Sequence, residues 1–385
     1  MKLNNLTISP DKKTLELSWD DGSQARFHAF WLRDNSLDDE TRSPENGQRL
    51  ISVLDIPEMT TIAGATITAE DTLCLTMAPE MKAAVYSGKW LKRHAYDTAR
   101  TRISGDLDPQ VEIWDAHLQA RIPTGHWDQI SKSSQALGQW LSSIRRHGFA
   151  VLNGVSTASG ALCQVAELFG FVRETNYGRW FDVRTEVNPS NLAYTNMGLQ
   201  AHTDNPYRNP VPTLQLLSCL ENSVAGGDSI VVDGFRAALR LKSENPEAFD
   251  LLTRYRVAFE YSGSQGVRLR SYKTMIELAA DGELVSISFN NRSVAPITQI
   301  PFADIESFYA AYRRFAELIE DTDMQVTFKL SPGQLFIVDN TRILHARKSF
   351  SGSGRRWLQG CYADKDALLS ALAIIEEQQN LGVAV

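Results

Sequence analysis

The second half of the chain sets the strongest constraint on its fold. From Tyr177 onward it breaks into short β-prone runs at 180–183, 214–220, 229–232, 256–261, 284–289, 325–330, 335–338 and 357–362. Each has the length of a strand, and none is long enough to make a core helix. Helical patterns interrupt the series at 246–253 and 303–319, and a last helix is expected over 365–379. Many short strands, with helices before, between and after them, predict a mainly β fold with flanking helices. The expected architecture is a double-stranded β-helix, or jelly roll.

The first hundred residues are β-rich in a different way. Leu15, Leu17 and Trp19 alternate with Thr14, Glu16 and Ser18, the period of a half-buried strand. Asp21-Gly22 then supplies a hairpin turn before Ala25, Phe27 and Ala29. A weaker copy of the pattern runs over 65–75. The two copies end in Phe30-Trp31-Leu32-Arg33-Asp34 and Trp90-Leu91-Lys92-Arg93-His94. The expected organisation is a small N-terminal β-rich domain over 1–97, a linker over 98–125 that carries Gly105, Pro109 and Pro123, and a jelly-roll domain over 126–385. That second domain opens with Leu137, Trp140, Leu141 and Ile144 on one helical face, followed by Gly148 as a helix stop and a buried strand at 149–152.

Composition excludes several functions. The 385 residues carry a net charge of −7, which argues against a nucleic-acid binder. No run of apolar residues is long enough to span a bilayer, and residues 1–10 lack the core of a signal peptide. Cys74, Cys163, Cys219 and Cys361 form neither a CxxC pair nor a disulfide framework. A cytoplasmic protein with no membrane partner is expected. A G-x-S-x-G elbow and a Walker A loop are both missing.

The sharpest chemical feature is Gln200-Ala201-His202-Thr203-Asp204. Residues two apart on an extended segment face the same side, so His202 and Asp204 can bind one ion together. His345, in Ile343-Leu344-His345-Ala346-Arg347, is the candidate third ligand. Two imidazoles and one carboxylate on one face of an octahedron leave three positions open, the ligand set of non-haem Fe(II) oxygenases. His28, His94, His117, His126 and His147 are read as ordinary core or surface residues. Arg356 follows His345 by eleven positions and can meet a carboxylate as a bidentate fork. Ser229, in Gly226-Gly227-Asp228-Ser229, can donate a hydroxyl to the same carboxylate.

With HTD, GGDS, LHAR and RWLQGCYAD in this order, the chain resembles the Fe(II)- and 2-oxoglutarate-dependent dioxygenases of the taurine-dioxygenase superfamily. More narrowly it resembles their γ-butyrobetaine dioxygenase branch. Asn176-Tyr177-Gly178, Phe181-Asp182-Val183, Asn191-Leu192-Ala193-Tyr194-Thr195, Val231-Val232-Asp233-Gly234-Phe235 and Phe30-Trp31-Leu32-Arg33-Asp34-Asn35 carry that closer likeness. The resemblance implies His202, Asp204 and His345 as iron ligands, and Arg356 with Ser229 as the holders of the distal carboxylate of 2-oxoglutarate. O2 would be the second cosubstrate, with succinate and CO2 released. It also implies a homodimer. Relatives with this N-terminal domain often bind zinc through cysteines after WLRDN; here Ser36-Leu37-Asp38-Asp39-Glu40 follows Asn35, so no structural zinc is expected.

For the substrate, the resemblance implies an aromatic cage for a trimethylammonium head, at Tyr177, Phe181, Tyr194 and Tyr362. Such a head makes no N–H hydrogen bond and is best held by ring faces. Trp180 alternates with Phe181, so only one of the two should point inward. Asn191 and Asn290 or Asn291 match positions near the acid end, and Asn196 and Arg292 are further candidates. An inward Arg292 would favour a phosphonate over a carboxylate. Two substrates follow: γ-butyrobetaine, or 2-(trimethylammonio)ethylphosphonate hydroxylated next to phosphorus. Two other classes compete with a hydroxylase. A non-catalytic binding protein on the same fold would be indifferent to chelators, and a zinc hydrolase with the same three ligands would turn over without 2-oxoglutarate or O2.

Overall fold

The computed structural model describes residues 2–97, 103–184, 197–263, 265–351 and 354–380. The chain divides into two compact units, residues 1–101 and 102–385.

The first unit is built from two three-stranded antiparallel sheets, Leu3–Ile8, Thr14–Trp19 and Gln24–His28, then Thr61–Ile67, Thr72–Ala78 and Lys82–Ser87. Each ends in a short helix, Ala29–Asp34 and Gly88–Arg93, so the WLRD and WLKR segments are helical rather than extended. The alternating residues of the strands supply one core that includes Leu15, Leu17, Phe27, Ile62, Leu73 and Tyr86. The segment after Asn35 is knit by polar contacts. Arg33 forks onto Glu80 at 2.8 and 2.9 Å and reaches Thr41, while Asp38 accepts from Ser36 and Thr41 and pairs with Lys82 at 2.8 Å.

In the second unit a six-stranded sheet runs in the order Thr124–His126, Phe149–Asn153, Gln334–Asp339, Leu214–Asn222, Arg356–Ala363, Phe181–Val183. A four-stranded sheet runs Leu199–His202, Ile343–Arg347, Ser229–Asp233, Gln325–Phe328. Pairing is antiparallel except between Thr124–His126 and Phe149–Asn153. Strict alternation sorts the side chains. Leu214 and Leu216 pack outward with Trp140, Leu141, Leu368 and Leu372 of the helices Ser134–His147 and Lys365–Asn380. Leu217 and Cys219 point inward, where they meet Val231, Val326, Val338 and Ile343 between the sheets. On the other outer face, Ile230, Val232 and Leu344 pack with the helices Gly234–Glu244, Pro246–Arg254 and Ile305–Glu320. Two sheets face to face with helices on both outsides are the expected jelly roll.

Two expectations need correction. The described part of the stretch read as a linker, 103–125, packs as part of the second unit: Trp114 and Leu118 are buried in its inter-sheet core. A third internal helix, Gly234–Glu244, lies directly after a strand; its start is set by Asp233, whose carboxylate caps the N–H of Phe235. No helix among the described residues is long and apolar enough to cross a membrane.

One ion pair is fully enclosed. Arg342, 1% exposed, grips Asp233, 0% exposed, at 3.0 and 2.7 Å, and its other N–H groups reach the carbonyls of Arg146 and Glu112. Asp233 also accepts from the backbone N–H of Trp114. Every charge there is hydrogen-bonded, so removing one partner strands the other. Arg342→Met is therefore expected to lower unfolding free energy by about 3–5 kcal/mol in urea titration; a loss under about 1 kcal/mol would contradict this account.

Candidate metal centre and substrate cavity

Sheet register brings the three remote ligands together. The strand Leu199–His202 pairs with Ile343–Arg347 so that His202 and His345 stand directly opposite one another. Their ring centroids are 4.3 Å apart. Asp204 Oδ1 lies 3.4 Å from His202 Nε2 and 4.0 Å from His345 Nε2. One ligand atom from each residue falls within 4.8 Å of the other two, the one such group found among the described residues.

The second layer of contacts orients these atoms. His202 Nδ1 donates to the Gln200 carbonyl at 2.8 Å, which turns the lone pair of Nε2 toward Asp204. Asn340 clamps the backbone: its Oδ1 accepts from the Asp204 N–H at 2.6 Å and its Nδ2 donates to the Asp204 and Pro212 carbonyls. The far carboxylate oxygen, Oδ2, accepts from Gln215 Nε2 at 2.5 Å and the Tyr362 hydroxyl at 2.8 Å. Burial alone would raise the Asp204 pKa, but the histidines and the Tyr362 hydroxyl outweigh it and hold the carboxyl well below its usual range. Burial pushes the His345 imidazole down to about 3, helped by His202. His202 is lowered for the same reason, with Arg292 adding to it. Two neutral imidazoles and an ionised carboxylate are what a divalent cation requires of its ligands. His345 Nδ1 is buried without a hydrogen-bond partner. The three residues fit a single bound iron.

A cavity of about 400 Å³ opens over this centre. Arg356 and Ser229, both buried, line it. Burial presses the Arg356 pKa down to about 10, and its Nε has no hydrogen-bond partner. A buried cation with an unsatisfied donor suits the carboxylate of a bound acid. Gly227 (φ +73°) keeps the approach open, since a Cβ there would lie 3.3 Å from Arg356 Nε. Arg347, two residues beyond His345 on the same face, adds a second buried guanidinium, and both arginines lie over the Phe350 ring.

The aromatic wall is continuous. Tyr177 and Phe181 lie 5.8 Å apart and Phe181 and Tyr362 5.3 Å apart, while Trp180 is turned out to solvent. Tyr207 and Tyr261 extend the wall: Tyr261 stacks on Tyr207 at 5.1 Å and meets Tyr177 edge-on, and the Tyr177 and Tyr207 hydroxyls are 2.9 Å apart. Arg292 lines the same cavity; protein burial lowers its pKa while Asp204, Tyr207, Tyr177 and Tyr362 act against that. Its side chain is at the same time exposed to solvent, so it stands at the edge of the cavity rather than in its buried depth. Asn290 lines the cavity with its amide already engaged, donating to the Thr203 carbonyl and accepting from the Arg292 N–H. Asn291 is not in the lining; it bonds Gln200 and Tyr312. Asn191, Tyr194 and Asn196 lie outside the described residues. Gln215, Tyr207, Tyr261 and Asn340 are residues that sequence reasoning missed. Only Tyr207, three positions after Asp204, carried a signal, its closeness to the HTD motif.

Two family descriptions match the chain: "Taurine catabolism dioxygenase TauD, TfdA family" over residues 109–362 and "Gamma-butyrobetaine hydroxylase-like, N-terminal" over residues 6–92. The chain is 34% identical over 363 residues to a γ-butyrobetaine dioxygenase of Pseudomonas sp. (strain AK-1), covering 94% of each. It is 31% identical over 376 residues to the Homo sapiens protein of that name, covering 96% of each. To a trimethyllysine dioxygenase of Meyerozyma guilliermondii it is 28% identical over 382 residues, covering 95% of this chain and 94% of that one.

The depressed imidazole has a measurable consequence. With its folded pKa near 3 against about 6.5 unfolded, His345 stays neutral in the fold while the unfolded chain takes up a proton. The unfolded state then binds more protons, so stability of the metal-free protein falls as pH drops from about 6.5 toward 3, by up to about 1.4 kcal/mol per pH unit. Urea denaturation at pH 7.5 and 5.5 should show wild type losing about 1 kcal/mol more than His345→Gln. Equal losses would contradict the buried neutral ring.

Proposed function

Because the chain belongs to the TauD/TfdA dioxygenase family and carries the γ-butyrobetaine hydroxylase-like N-terminal unit, we propose that its substrate is a short trimethylammonium acid, with a phosphonate as the acid group. The protein is a non-haem Fe(II)- and 2-oxoglutarate-dependent dioxygenase that hydroxylates a trimethylammonium compound. The proposed reaction converts 2-(trimethylammonio)ethylphosphonate, 2-oxoglutarate and O2 to the alcohol next to phosphorus, succinate and CO2. When bound, iron supplies the oxidising chemistry by which one atom of O2 enters succinate and the other a C–H bond.

The chain's own residues bind and orient. His202, Asp204 and His345 would hold the iron through one atom each. Arg356 and Ser229 receive the distal carboxylate of 2-oxoglutarate, where a fork and a hydroxyl suit two oxygens. Tyr177, Phe181 and Tyr362 present ring faces to the trimethylammonium head, at about 0.5–2 kcal/mol per contact; Tyr194 and Asn191 join them by the resemblance. Asn290, its amide already spent on Thr203 and Arg292, acts by fixing the Arg292 backbone. The setting of this reading is a cytoplasmic homodimer.

The observation that carries the phosphonate is Arg292, a guanidinium in the cavity of the iron ligands and the tyrosines. A fixed cation repels a cationic head and so serves the opposite end of the substrate. A phosphonate brings more charge and one more acceptor oxygen than a carboxylate, and so uses the guanidinium fork more fully. The competing reading, γ-butyrobetaine, rests on the name of the 34% identical relative.

An iron-loaded assay across both acids and their unmethylated amines tests the reading. Succinate matched by hydroxylated product is expected on the phosphonate, with kcat/KM at least 10-fold above γ-butyrobetaine. Arg292→Ala should lower kcat/KM on the phosphonate about 30-fold or more, from about 2 kcal/mol for a lost charge-assisted contact. Preference for a primary amine would remove the cage, and an Arg292→Ala effect equal on both acids would remove the phosphonate.

A further inference from the structure

Resting on the iron centre of that reading, the inference concerns the oxygen of Asp204 that faces away from the histidines. Oδ1 faces both imidazoles, while Oδ2 is taken by Gln215 and Tyr362. These two donors are cross-strand partners: Leu214–Asn222 pairs with Arg356–Ala363 so that Gln215 stands opposite Tyr362. Side chains opposite each other in a pair share one face of the sheet, and here both reach the same atom. Gln215 is 3% exposed and its Oε1 has no hydrogen-bond partner. Its Nε2 spends its hydrogen bond on Asp204 while its Oε1 finds no donor, so the buried amide is oriented by the carboxylate.

We propose that Gln215 and Tyr362 are positioning residues that hold Asp204 to one-oxygen coordination. A carboxylate with both oxygens free can chelate a cation and use two of its positions. With Oδ2 held by two donors, Asp204 offers Oδ1 alone, and the position that chelation would fill stays open for cosubstrate. Tyr362 does this while its ring stands beside Phe181 in the aromatic wall, so one side chain serves the iron carboxylate through its hydroxyl and the substrate head through its face.

The test uses Gln215→Leu, Tyr362→Phe and the double variant of the full chain, titrated anaerobically with Co(II) and followed by visible absorption. Loss of a hydrogen bond to a metal-ligating group is expected to weaken Co(II) binding about 10-fold or more. The double variant should be weakest and should bind 2-oxoglutarate at least 10-fold less tightly by calorimetry on the Co(II) form. Tyr362→Phe, which keeps the ring, should leave KM for the trimethylammonium substrate within threefold of wild type while kcat falls. Co(II) and 2-oxoglutarate affinities of Tyr362→Phe and the double variant within threefold of wild type would overturn the proposal. So would a loss accompanied by an equal fall in the stability of the metal-free protein, which marks a packing role. Wild type that binds no Co(II) at His202, Asp204 and His345 would instead overturn the iron reading and the inference with it.

Discussion

The antiparallel register that sets His202 against His345 is the contact on which the rest of the site depends. A slip of one residue in either strand would turn its imidazole to the outer face, among the helices that cover the sheet, and part the pair. That register is held from both sides. Ile343–Arg347 is hydrogen-bonded to Leu199–His202 on one edge and to Ser229–Asp233 on the other. Ile343 and Leu344 are buried on opposite faces of it, in the inter-sheet core and under the helices. The apolar alternation that folds the sheet thus also aims the ligands.

The same alternation explains how a polar site fits inside a β-sandwich. Along Ser229–Asp233, Val231 packs between the sheets while Ser229, on the same face, lines the cavity. Along Arg356–Ala363, Leu358 is shared by core and cavity, and Tyr362 reaches Asp204. One end of the sandwich is filled with aliphatic side chains and the other is left for cations, hydroxyls and rings. Removing arginines such as Arg356 and Arg347 from water is costly, which their lowered pKa values express. An anionic cosubstrate offsets that cost, which makes the cavity selective for acids before any substrate contact is considered.

Much of this was legible in the chain. Period two put His202 and Asp204 on one side of an extended segment, and the family resemblance supplied His345 as their partner and Arg356 as a candidate for the cosubstrate carboxylate; the structure brings the three ligand residues together. Period-two alternation allowed only one of Trp180 and Phe181 to point inward, and the resemblance named Phe181; Phe181 lines the cavity and Trp180 is exposed. Gln215 was not legible: a lone glutamine in an apolar strand carries no motif, and its partner Tyr362 lies 147 positions away across a sheet pairing that sequence does not specify. Tyr261 was read only as part of a strand, since its place in the wall depends on how the hairpin Val257–Tyr261 and Leu269–Lys273 folds over the cavity. Trp114 and Leu118 were assigned to a linker because their segment lacks periodicity, yet they fill the inter-sheet core.

Counting bound ferrous ion per chain under anaerobic conditions reaches the central claim most directly. Wild type should hold one Fe(II) per chain at micromolar concentration, and His202→Ala, Asp204→Ala and His345→Ala should each abolish that stoichiometric binding while the folded protein persists. Undiminished iron in His345→Ala would mean that the two strands do not build one metal centre, and the hydroxylase account would fail with it.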